Sequence, residues 1–223
     1  MRPIAWPCPA PGGSGEEFAL ISGPDDAAAQ VLIVPALFEE ANRTRRLLAE
    51  TMRGLADRGI ATVLIDLPGC GESLAPLERQ DLTSWRAAVA AAALHFAASH
   101  VFSIRGGALI VRSSLPGWQL EPSGSPLRSL LRARMIVARE QGRDETMAGL
   151  TEAGLRDGLE LAGYRLGPRM IAALASAKPN DSAQQPLTLA ELGGTPLWLR
   201  SEPGEDPALA AALVMRIAAD LGR

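Results

Sequence analysis

The chain is 223 residues long, 47% hydrophobic and 21% charged, and its 22 Lys and Arg against 25 Asp and Glu leave a formal net charge of −3. Such a chain can bury a substantial core and is not a disordered tail. Its mild acidity argues against a nucleic-acid binder, which needs a basic excess or stripe. Two cysteines, Cys8 and Cys70, exclude a disulfide-rich scaffold, and two histidines, His95 and His100, exclude any mechanism that needs a histidine near the C-terminus.

In chain order, residues 1–16 read as a loose lead rich in Pro and Gly, without the apolar stretch of a signal peptide. Glu17–Ile21 is a short strand ended by Gly23-Pro24-Asp25. Val31–Val34 is a compact β-branched run of the kind buried on both faces. Thr44–Arg58 carries Leu47, Leu48, Met52 and Leu55 at helical spacing and stops at Gly59. Ala61–Asp66 is a second buried strand, followed by the turn Leu67-Pro68-Gly69-Cys70-Gly71. Leu82–Ala98 is an Ala-rich helix, and Val101–Ile104 a third strand leading into Arg105-Gly106-Gly107. This alternation predicts an α/β fold with a mainly parallel, doubly wound sheet and helices on both faces.

The second half begins with a strand-to-loop segment at Pro116–Pro122. Helix is expected over Leu127–Gln141, which is basic on one side, and over Thr146–Leu161 and Leu166–Ala177, with a break at Gly163 and Tyr164. Ser176–Gln185 reads as an exposed loop and Pro196–Arg200 as a last strand. A final helix, Pro207–Leu221, takes Asp206 as its N-cap. The longest apolar runs, Ala87–Leu94 and Ala208–Met215, are far short of the roughly 20 residues of a membrane span. The reading is one domain over residues 1–223, soluble and cytoplasmic.

Two segments resemble parts of the α/β-hydrolase superfamily. Asp66-Leu67-Pro68-Gly69-Cys70-Gly71-Glu72-Ser73 matches its D-x-x-G-x-G-x-S turn, and Ser103-Ile104-Arg105-Gly106-Gly107 stands where G-x-S-x-G would form the nucleophile elbow. The stretch Pro35–Arg46 (P-A-L-F-E-E-A-N-R-T-R-R), with Trp118–Pro122 and Ala162–Pro168, is similar to the second type of exosortase A-associated hydrolases. That resemblance runs from about Val31 to Arg200. It implies an α/β-hydrolase fold with a helical cap-like insertion at 127–177, a link to bacterial exopolysaccharide biosynthesis or export, and arginine at the elbow as a trait of the group.

The residues themselves oppose ordinary hydrolysis. A Ser–His–Asp triad needs a nucleophile, a base within reach and an orienting acid. Arg105 is permanently protonated and has no lone pair for attack. The fold implied by the resemblance carries its histidine after the last strand, and Ser201–Arg223 contains none. No residue is therefore assigned as catalytic.

The candidate pocket residues are Phe38, Glu39, Glu40, Asn42, Arg105 and Gly106. Three arrangements stay open: Arg105 paired with Glu39 or Glu40 as a plug, Arg105 free to clamp a carboxylate or phosphate, or Arg105 pointing to solvent with the glutamates capping the next helix. Cys70 reads as an inert buried thiol. His95 and His100 read as structural, with an imidazolium at His100 helping a helix end. No zinc spacing and no dinucleotide fingerprint is present, so neither metal nor cofactor is expected. The expected partners are a small anionic or acyl ligand or a protein of the exopolysaccharide machinery, with no nucleic acid and no membrane span. A hydrolase with an unconventional site at Glu39, Glu40 or Cys70 is the opposing function, and a partner-binding module the third.

Overall fold

The structure is a computed structural model that describes residues 1–11, 13–123, 125–179 and 183–223, with nothing said of the side chains at 13 and 14. Its elements are β1 (Arg2–Ala10), β2 (Gly13–Ser22), β3 (Gln30–Val34), α1 (Glu39–Ala56), β4 (Ala61–Ile65), α2 (Leu82–His95), β5 (His100–Ile104) and β6 (Gly117–Leu120). There follow α3 (Pro126–Glu140), α4 (Met147–Asp157), β7 (Leu159–Leu161), β8 (Tyr164–Leu166), α5 (Pro168–Ser176), β9 (Gln184–Leu187), α6 (Leu189–Leu192) and α7 (Pro207–Asp220). Seven strands form one sheet in the order β1-β2-β4-β3-β5-β6-β9, and β7 and β8 form a separate hairpin. The pairs from β4 through β9 are parallel, while β1–β2 and β2–β4 are antiparallel.

The β3 run shows why the sheet is covered on both sides. Side chains alternate across a strand, so Leu32 and Val34 join one core with Trp6, Trp85 and Leu130, while Val31 and Ile33 join the other with α1 and α7. Helix α1 buries Leu47, Leu48, Met52 and Leu55 on one stripe. Asp81 opens α2 with a capping box, its carboxylate accepting the Ser84 N–H at 2.8 Å while the Ser84 hydroxyl accepts the Asp81 N–H at 3.0 Å. The next residue, Trp85, donates its indole N–H to the Pro68 carbonyl at 2.9 Å and fixes the Asp66–Ser73 turn against the helix. Asp206 caps α7, accepting the Leu209 N–H at 3.0 Å, as the sequence predicts.

Several expectations are corrected. Most of the lead is strand: β1 pairs with β2 through nine registered positions. Pro3, Pro7 and Pro9 fit there because β1 is the outer strand, where a missing N–H need not break a ladder. Helix α1 starts at Glu39, five residues before Thr44, and the Ala-rich helix ends at His95 because Ala97 takes φ 49°. The span Thr146–Leu161 is a helix only to Asp157, and the break at Gly163 is the turn of the β7–β8 hairpin. Of the supposed loop 176–185, Gln184 is buried and begins β9, and residues 180–182 lie outside the described residues. Pro196–Arg200 is no strand: Leu197–Leu199 is a single 3-10 turn, and residues 188–223 hold no strand at all.

Candidate functional site

The site forms where β3 and β5 end side by side. Ile104 is still extended, but Arg105 takes φ 54° and opens a 3-10 turn over Arg105–Leu109. Phe38, at the foot of α1, takes φ 59°. A positive φ costs a non-glycine residue on the order of 1–3 kcal/mol, so two of them at neighbouring strand ends mark a constrained site. The turn can sit this low because Gly107 has no side chain. A Cβ there would lie 2.5 Å from the Pro35 carbonyl oxygen and 2.9 Å from that of Val34.

From this elbow the Arg105 side chain is held on all sides. Its Nε and Nη2 donate to the two carboxylate oxygens of Glu40, each at 3.2 Å, in a bidentate fork. Nη1 donates to the Glu121 carbonyl at 3.1 Å, and the guanidinium carbon lies 4.7 Å from the centre of the Trp198 ring. The two charged side chains are only 17% and 19% exposed. Glu40 is available because it stands in the first turn of α1, where an acid also suits the helix dipole. Glu121 is itself at φ 44°, and its side chain accepts the Leu189 N–H at 2.8 Å, tying the end of β6 to the start of α6.

The other candidates divide around this pair. Glu39 turns along its own helix and accepts from Arg43 Nη2 at 3.1 Å, while Arg43 Nη1 donates to the Trp198 carbonyl at 2.9 Å. Gly106 packs against Leu37, where an added Cβ would come within 3.1 Å of Leu37 Cγ. Phe38 is buried, with its ring 5.7 Å from Trp85 and 5.4 Å edge-on to Tyr164. Together with Leu37 it separates two cavities. One, of about 330 Å³, lies between the start of α1, α3 and the 3-10 turn, with Glu39, Glu40, Arg132 and Trp198 on its wall. The other, of about 270 Å³, lies between α1 and the Asp66–Ser73 turn, and Asn42 lines it. Asn42 is therefore not in the Arg105 site.

No nucleophile at the elbow is activated. Ser103, two residues before Arg105, is fully buried and its Oγ has no hydrogen-bond partner among the described residues, so no base can draw its proton. Burial pushes the Cys70 thiol up to about 12, with Asp66 and Glu17 adding repulsion, which keeps it protonated. His100 starts β5, five residues before Arg105, so about 16 Å separates them at 3.3 Å per residue. It lies beyond the end of α2 at His95, opens β5 and stacks on Trp118, so it does not end the helix as the sequence suggests; burial lowers its pKa. His95 packs edge-on to Phe96 and against Trp6. Among the described residues, no group of three or more His, Cys, Asp or Glu could hold a metal ion, and no helix is long and apolar enough to cross a membrane.

Glu121 and Trp198 complete the Arg105 cage and were not among the sequence candidates. Glu121 lies in the segment 118–122 that carries the family resemblance and Trp198 in none of those segments, and their roles depend on a carbonyl and a ring face, which sequence patterns do not encode.

The chain has the α/β-hydrolase fold. Est1E from Butyrivibrio proteoclasticus, solved with ferulic acid bound, superposes with a TM-score of 0.55 over 93% of this chain and 96% of its own, at 14% identity. A proline iminopeptidase-related protein from Thermus thermophilus aligns over 70% of this chain and 57% of its own, at 19% identity and a TM-score of 0.45. An alpha-beta serine hydrolase homologue from Coxiella burnetii aligns over 53% and 62%, at 15% identity and 0.40. This chain thus spans less than two thirds of the length of these last two proteins. No protein-family model matches the sequence, and no curated protein does.

Proposed function

We propose that this is an α/β-hydrolase-fold protein in which a locked arginine replaces the nucleophile, so that it works without classical Ser–His–Asp turnover. The bidentate Arg105–Glu40 pair carries this reading, since it occupies the elbow with a group that can neither attack nor accept a proton. The resemblance of residues 35–46, 66–73, 118–122 and 162–168 to the exosortase-associated group supports a cytoplasmic role in bacterial exopolysaccharide biosynthesis or export. Its partner there is a small anionic or acyl ligand, or a protein of that machinery, meeting the face where Ile136 is 61% and Leu199 73% exposed.

The competing reading is hydrolysis of an ester or acyl bond through Glu39, Glu40 or Cys70. It draws on one observation: Glu39 lines the larger cavity with its side chain 40% exposed. A screen with p-nitrophenyl esters of increasing chain length separates the two, comparing the native protein with Glu39→Gln and Arg105→Ser. Our reading expects native rates at the level of either variant. Robust native turnover that collapses in Glu39→Gln overturns it.

A further inference from the structure

The smaller cavity is not part of the Arg105 site, and it has the makings of a binding site of its own. It opens at the carboxyl ends of β3 and β4, the end of an open parallel sheet at which ligands bind. Its bed is apolar, formed by Pro35, Leu48 and Leu64. Three side chains able to donate hydrogen bonds line it: Asn42 and Arg45, both exposed and one turn apart on α1, and the half-buried Tyr164 from β8. None of the three makes a hydrogen bond or salt bridge with another described residue.

The balance of donors and acceptors defines the occupant. Asp66 is the acidic residue on the wall, and its carboxylate is already committed to its own turn. It accepts the Glu72 N–H at 3.2 Å and lies against Gly71, where a Cβ would come within 2.4 Å of it. Arg45 is near enough to help hold the Asp66 carboxyl down but makes no salt bridge to it, so the wall offers donors and a cation whose hydrogen bonds remain free. A volume of about 270 Å³ is at the small end for organic ligands and leaves no room for a polymer. We infer that this cavity binds a small organic carboxylate, its charged head on Arg45, Asn42 and Tyr164 and its apolar body on Pro35, Leu48 and Leu64. The protonated Cys70 thiol on the wall offers no nucleophile, so the binding is non-covalent.

Hexanoate is the probe, with hexanol as the uncharged control, titrated into the full chain by calorimetry and by saturation-transfer NMR. Arg45 is exposed, so Arg45→Gln should fold normally and weaken hexanoate at least about tenfold, the scale of one charge-assisted hydrogen bond. Ala41→Leu, which fills the cavity from α1 without changing charge, should abolish binding, with its melting curve as the folding control. Arg132→Gln, on the wall of the other cavity, should leave hexanoate affinity unchanged. No binding at millimolar hexanoate overturns the inference. So does equal binding of hexanol, or binding that survives Ala41→Leu but is lost in Arg132→Gln. None of these results depends on whether the elbow is catalytically silent, because the readout is binding and none of the variants touches Arg105 or Glu40.

Discussion

Removing either member of the Arg105–Glu40 pair should destabilise the fold by an amount the geometry bounds. Breaking a fully buried pair by deleting one partner costs about 3–5 kcal/mol, and a surface pair is worth about 0–1 kcal/mol. With side chains 17% and 19% exposed, the pair lies nearer the buried limit, and discounting for that exposure gives about 2–3 kcal/mol for Arg105→Ala. Within that sum, the Trp198 contact contributes about 0.5–1 kcal/mol. Glu40→Gln should cost less, about 1–2 kcal/mol, because the amide oxygen still accepts one bond. Alanine keeps the positive φ at 105, so the elbow strain is common to both proteins and drops out. Urea unfolding of the native protein, Arg105→Ala, Glu40→Gln and the double variant forms a cycle that also cancels the helix-dipole contribution of Glu40. The expected coupling is about 1–2 kcal/mol. A coupling below about 0.3 kcal/mol would mean that the fork contributes nothing beyond its separate parts, and the plug would be refuted.

Two further outcomes follow from the neighbouring elements. Glu17 is 3% exposed with Oε2 unpartnered, and burial, then Asp66, raises its pKa. A carboxyl whose folded pKa exceeds its unfolded value stabilises fully below the unfolded pKa and loses that contribution as pH rises through the folded one. Glu17→Gln should therefore melt higher than the native protein at about pH 8, with the gap closing toward about pH 4. A gap that widens on acidification would contradict the burial argument. Gly107→Ala should cost about 3 kcal/mol, since its Cβ would sit 2.5 Å from backbone that cannot move without β3; an unchanged denaturation midpoint would show that the elbow does not pack as described.

The parallel centre of the sheet is legible in sequence because β3, β4 and β5 are largely buried on both faces and so read as near-continuous apolar runs. The sheet's two outer strands are not. In β1 three prolines look like a loop, and only its place at the rim makes them tolerable. In β9 the residues Gln184, Gln185 and Pro186 look like a loop too, yet Gln184 Nε2 reaches back to the Ser113 carbonyl at 3.2 Å and joins the strand to the loop before β6. Leu197-Trp198-Leu199 misleads in the other direction: its apolarity suggests a strand, but it turns so that the Trp198 ring can lie on Arg105 and its carbonyl can meet Arg43. At the site, the pairing of an elbow arginine with one of two glutamates is readable from charge and motif. Which glutamate it is depends on the helical phase of α1. Starting at Glu39 turns Glu40 toward β5 and leaves Glu39 to Arg43, four residues along the same face.

The most direct test of the locked elbow is the NMR signal of the Arg105 guanidinium. A bidentate fork with a third bond to Glu121 should give a slowly exchanging Nε–H and resolved Nη resonances from restricted rotation, and both should collapse to averaged positions in Glu40→Gln. An Arg105 signal that is already averaged in the native protein, and indifferent to Glu40→Gln, would contradict the account.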